Sequence, residues 1–134
     1  MSSFSDTQQL YLVMNELWSR IKADKIMAST LLESELIVRF HYRKPDGWVT
    51  IDGSDGKELQ ITIGANDLKP VIEMFMTSDV AHNFWLGKEN PAVALLTGKI
   101  VSKGPVNRAL ALLPVVRPAF SIYQSIYEGL KKSA

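Results

Sequence analysis

"FWLGKENPAVALLTGKIVSKGPV", residues 84–106, joins Phe84, Trp85 and Leu86 to pieces that end on glycine, with one acid, Glu89, in the whole stretch. Gly87 reads as the stop of one helix. Asn90 caps the next, with Pro91 at the first helical position where its missing N–H is harmless, and Gly98 ends it. "KIVSK" then reads as a short strand closed by Gly104 and Pro105. So much apolar surface in so short a unit covers either a packed core or a cavity.

Upstream, the period changes to two. In "LIVRFHYR", Leu36, Val38, Phe40 and Tyr42 alternate with Ile37, Arg39, His41 and Arg43, the signature of a strand with one polar face. "KPDGW" is a turn in which Pro45 presets φ and Gly47 permits positive φ, "WVTID" is the second strand, "GSDGKE" the next turn and "LQITIG" the third strand. These form an antiparallel meander. Before it, Ser5 with Gln8 predicts a capping box for a helix carrying Leu10, Met14, Leu17, Trp18 and Ile21. "ADKIMASTLLESE" predicts a second short helix or a bent extension of the first. Between the meander and the opening stretch, Asn66 or Asp67 is expected to cap a helix "LKPVIEMFMTS", and Ser78 or Asp79 to cap "VAHNFWL". Downstream, "VNRALALLPVVRPAFSIYQSIYEGLKK" is helical but must bend or restart at Pro114 and Pro118. The expected fold class is α+β in a single domain, 1–134, with a mainly antiparallel sheet, the meander plus a later strand, covered by helices.

Composition sets outer bounds. At 134 residues, 46% apolar and 22% charged, the chain is long enough for one sizeable core. It has no cysteine, which excludes disulfides, thiolate metal sites and a cysteine nucleophile. No leader-like or membrane-spanning run is seen, so a cytoplasmic location is expected. Residues 1–79 hold 8 Lys and Arg against 12 Asp and Glu, whereas residues 80–134 hold 7 against 2. That basic half, with Lys88, Lys99, Lys103, Arg108 and Arg117, is a solvated face or a surface for transient contact with an anionic membrane; its charges do not cluster tightly enough to require either lipid or nucleic acid, and no nucleic-acid partner is expected.

Catalytic and metal patterns are absent. "DGSDGKE" has Ser54 and Gly56 at the third and fifth loop positions, and Ile63 where a calcium loop needs its last carboxylate. His41 and His82 lack metal-ligand spacing. "LLTGKI" lacks the first glycine of a phosphate loop and the hydroxyl after its lysine, and no G-x-S-x-G elbow exists. No catalytic residue, metal or cofactor is expected, and the protein is read as a non-enzyme.

From Val71 to Phe120 some helical turns are apolar on all sides, which fits a buried helix or the wall of a cavity. Here the order of elements resembles the sterol carrier protein type 2 domain family, sterol-binding and lipid-transfer domains, over about residues 35–113. The resemblance begins at the meander closing on "ITIGANDL" and is most specific in "NPAVALLTGKIVSKG": Asn90 and Pro91 open a short helix, Ala94 lies within it, Gly98 and Lys99 lead into a strand, and Gly104 ends that strand. "TSDVAHNFWLGKE" is longer than in short members and is expected to add a helix. With the missing peroxisomal ending, this suggests a stand-alone member of prokaryotic type.

The resemblance implies a hydrophobic tunnel between sheet and helices that binds or transfers fatty acyl chains, sterols or isoprenoid-like lipids. Residues 84–106 would form one wall of it. Its expected lining is Trp48, Ile61, Ile63, Met74, Phe75, Phe84, Trp85, Leu95, Leu96, Leu110, Leu113 and Phe120. Two other readings are an interaction module whose groove takes a partner helix, and an accessory module that presents a lipid or quinone precursor to enzymes. Monomer and dimer both fit the sequence.

Overall fold

The computed structural model describes residues 2–133. Helix α1 (Thr7–Ala23) buries Leu10, Val13, Met14, Leu17, Trp18 and Ile21 in one stripe, as steps of three and four require. Its cap is Asp6, not Ser5. Asp6 accepts the Gln9 N–H at 2.8 Å, and Gln9 Oε1 accepts the Ser5 N–H at 2.7 Å. The one-residue shift places a carboxylate at the positive end of the helix. Helix α2 (Lys25–Glu33) is separate: the Asp24 N–H closes α1 on the carbonyls of Arg20 and Ile21, and its carboxylate opens α2 by accepting from Ile26 and Met27.

The meander forms as read, from β1 (Ile37–Arg43), β2 (Gly47–Asp52) and β3 (Gln60–Ile63), antiparallel throughout. Gly47 serves a different purpose from the one expected. The residue at positive φ in this turn is Lys44, whereas a Cβ on Gly47 would lie 2.7 Å from the Tyr11 ring. The glycine lets α1 approach β2, and the Tyr11 hydroxyl accepts the Trp48 N–H at 3.1 Å.

The main departure is at residues 66–77. The expected helix there is strand β4 (Ile72–Thr77), which pairs in parallel with β1 from Val38↔Ile72 to Arg43↔Thr77. Asn66 does not cap a helix because its amide is engaged in the loop: Oδ1 accepts from Arg39 Nη2 at 2.6 Å and from the Leu68 N–H at 3.0 Å, and Nδ2 donates to Thr50 Oγ1 at 3.0 Å. The loop carries the chain past β1, and the Val71 N–H bonds to the Ile37 carbonyl at 2.8 Å. Ile72, Met74 and Met76 then face the core, while Glu73, Phe75 and Thr77 are half-buried. The sheet is therefore mixed, in the order β3-β2-β1-β4-β5.

Helix α3 (Ser78–Trp85) is capped by Thr77, whose Oγ1 accepts the Val80 N–H at 3.1 Å. Both expected caps are committed elsewhere: Ser78 Oγ donates to the Pro45 carbonyl, and Asp79 accepts the Ser3 N–H at 2.7 Å. Helix α4 (Pro91–Leu96) opens as read, with Asn90 accepting from Ala92 and Val93. Strand β5 (Val101–Lys103) pairs with β4 at the sheet edge. The tail restarts twice, as α5 (Val106–Leu110), α6 (Leu113–Val116) and α7 (Ala119–Ser133), and the segments 106–116 and 119–132 meet at 74°. Among the described residues no single helix is long and apolar enough to cross a membrane. Helix α1 packs over β2 and β3 and against α7, α3 packs on β4 and α7, and α2 packs on α6.

Candidate functional site

The pleat aims Val38, Phe40 and Tyr42 of β1, Ile51 of β2, and Met74 and Met76 of β4 at the helices, and these side chains floor a partly open cavity of about 110 Å³. Trp18 of α1 and Ala81, Phe84 and Trp85 of α3 form its sides. Leu31, Ser34, Leu36, Gly53 and Leu59 close the end near α2. Pro91 and Ile100 flank it, and Ala109, Leu110, Leu112, Leu113 and Val116 of the α5–α6 segment cover it.

No charged side chain lines this space. Burial pushes the Tyr42 phenol well above its ordinary range, so it remains a neutral O–H. Ser34 is satisfied, since its Oγ donates to the Leu31 carbonyl at 2.6 Å and accepts the Leu36 N–H at 3.3 Å. Trp18 is not. It is 4% exposed, and its Nε1–H is buried without an acceptor among the described residues. An orphaned donor of this kind costs about 1–3 kcal/mol.

Of the residues expected to line a tunnel, Met74, Phe84, Trp85, Leu110 and Leu113 come together here. Ile61 and Ile63 pair with Ile51 and Val49 across β3, on the same sheet face but outside the cavity. Phe120 stands behind the wall, edge-on to Phe84 at 5.5 Å and to Trp85 at 6.1 Å. Leu95 packs against the core without reaching the cavity, and Leu96 is 87% exposed, because α4 turns Ala94 inward. Trp48 and Phe75 lie on the opposite sheet face around His41, which stacks on Phe75 at 4.2 Å and meets Trp48 edge-on at 4.7 Å. The expected helix at 66–77 had hidden that alternation. The β1 residues and Trp18 were absent from the expected lining, although the period-two pattern of "LIVRFHYR" already placed Val38, Phe40 and Tyr42 on one face.

Two polar clusters lie away from the cavity. His41 Nε2 contacts Glu73 Oε1 at 2.9 Å, and the Arg39 guanidinium sits 4.6 Å from the Trp48 ring centre. His82 Nδ1 and the Tyr123 hydroxyl share a bond of 2.7 Å, and Tyr127 Oη donates to the Ser3 carbonyl at 2.6 Å, holding the N-terminal stretch against α3 and α7. Burial lowers the pKa of His82, and burial raises that of Tyr123. Among the described residues no group of three or more His, Asp or Glu could hold a metal ion.

No family model and no curated protein sequence matches the chain. Solved structures do. The apo sterol carrier protein 2 of Yarrowia lipolytica is similar with a TM-score of 0.65 at 18% identity, over 89% of this chain and 94% of that one. Sterol carrier protein domain 2 of Helicoverpa armigera gives 0.62 at 25% identity, over 81% and 85%. The UbiJ-SCP2 ubiquinone synthesis protein gives 0.59 at 10% identity, over 77% and 84%.

Proposed function

From a chain that has the sterol carrier protein 2 fold, we propose a non-catalytic protein that binds and carries lipid-like apolar molecules. The observation that carries this reading is the cavity between sheet and helices, lined almost wholly by apolar side chains and free of charge. Each methylene moved from water into it contributes about 0.8 kcal/mol, so binding needs no catalytic group, and chain length is discriminated only weakly. Its volume of about 110 Å³ is below the roughly 150 Å³ of an apolar cavity that admits benzene, so a long chain enters only as the α5–α6 cover moves outward.

Loading takes place at an anionic membrane. Val93 and Leu96 of α4 are 50% and 87% exposed, next to the cavity residues Pro91 and Ile100 and to the basic side chains Lys88 and Lys99. An exposed apolar tip flanked in sequence by two lysines, Lys99 lying 3.6 Å from Glu89, fits the interface of an anionic bilayer. The likeness to a ubiquinone synthesis protein supports a second reading, in which the carried molecule is presented to an enzyme. Titrating an environment-sensitive acyl probe into detergent-free protein tests the main reading. Saturable binding at micromolar concentration or tighter, an order-of-magnitude expectation of about −8 kcal/mol, is expected, and a flat titration with folded protein would overturn it.

A further inference from the structure

Resting on the reading of the cavity as a lipid site, we infer that its preferred occupant carries a neutral hydrogen-bond acceptor, a carbonyl or hydroxyl oxygen, that takes the Trp18 Nε1–H. Three observations converge on this. Trp18 lines the cavity, its indole N–H is buried, and no acceptor among the described residues reaches it. A buried donor gains most from an acceptor brought by the ligand, because water does not compete there.

The remaining lining narrows the chemistry of that acceptor. Neither arginine, lysine nor histidine faces the cavity, so a carboxylate drawn inside would lose its hydration with no counter-ion to replace it. Fatty acids would therefore hold their head groups at the mouth, whereas ketones, esters and alcohols can enter whole. Ser34 cannot supply the contact, since its hydroxyl is already engaged with Leu31 and Leu36. The nearest rings hold the indole in place: Trp85 stands edge-on at 5.8 Å and Phe40 lies at 6.1 Å. The N–H itself is closed to the empty cavity, so an acceptor reaches it as the space widens around a ligand, and that contact sets orientation where methylene burial cannot.

The test uses the full chain labelled with ¹⁵N, in which Trp18, Trp48 and Trp85 give three indole resonances, assigned with Trp48→Phe and Trp85→Phe. The protein is titrated with a long-chain methyl ketone and with the alkane of equal length. The Trp18 indole proton is expected to move downfield with the ketone and not with the alkane. Trp18→Phe is expected to lose about five- to tenfold in affinity for the ketone and little for the alkane, the range of one hydrogen bond. Equal affinities with an unmoved Trp18 resonance would overturn the inference and keep the lipid reading intact. Binding of neither compound would overturn the lipid reading itself. If Trp18→Phe does not fold, the resonance comparison in the unaltered protein still decides.

Discussion

Leu110 and Leu95 look alike in sequence and have different neighbours in the fold. Leu110 ends α5, is half-buried and faces the cavity, while Leu95 packs beside it on α4. Leu110→Trp should place its indole in the open volume, displacing about two ligand methylenes and lowering probe affinity about tenfold, with the melting temperature kept. Leu95→Trp should leave probe affinity unchanged, and a parallel titration of the two variants checks both statements. Gly104 is constrained more tightly than either. It sits at φ 95°, and a Cβ there would collide with the Val71 carbonyl oxygen. Gly104→Ala combines left-handed strain with that collision beside the β4–β5 pairing, and should cost about 3 kcal/mol or more in a denaturant titration.

Among the elements, α5 and α6 are the least anchored. Neither has a side-chain cap, α5 buries no residue, and α6 buries only Val116. Segments with few buried contacts open at low free energy. Amides of 106–116 should exchange with deuterium faster than those of β1 and β4, and should gain protection when an acyl ligand fills the cavity beneath them. The exposed end of α4 should matter at the membrane and not for the fold. Leu96→Glu should keep the melting temperature within a few degrees, since surface changes cost about 0.5 kcal/mol or less. It should also weaken co-sedimentation with anionic vesicles, whose hold on the basic half should fade with salt over a screening length of about 8 Å at physiological ionic strength.

At the scale of the whole molecule, the N-terminal stretch, α3 and α7 are held together by groups that titrate. Phe4 is buried edge-on to His82 at 5.8 Å and to Tyr127 at 5.9 Å, Asp79 holds the Ser3 N–H, and His82 meets Tyr123. Burial lowers the pKa of His82, so the folded protein binds its proton less readily than the unfolded chain, where it titrates near 6.5. Its contribution to stability is present above about pH 6.5 and is lost as pH falls through the lower folded value. The Ser3 N–H likewise lowers the pKa of Asp79, whose contribution goes at more acid pH, below the ordinary carboxylate value near 3.9. Melting temperature plotted against pH should be flat between about 7 and 9 and decline below about 6.5, and His82→Gln should lack that first decline.

Elements whose signals are local were legible before the fold was known. The stripe of α1, the alternation of β1 and β2, and the Asn90–Pro91 start of α4 each rest on residues within a few positions of one another, and each forms where it was read. The family resemblance rested on the same local spacing. Tertiary structure alone decided the state of "VIEMFMT": its apolar residues satisfy a helical stripe as well as a strand, and the open edge of β1, distant in sequence, selected the parallel pairing. That pairing sent Phe75 to the face opposite Met74 and, with the Trp48↔His41 register, took two expected residues out of the cavity. It likewise decided that Asn66 would hold Arg39, that Gly47 would make room for Tyr11, and that Trp18 would reach the cavity with a donor left over. A cavity is the space left between elements, and no local pattern of residues encodes where packing will fall short.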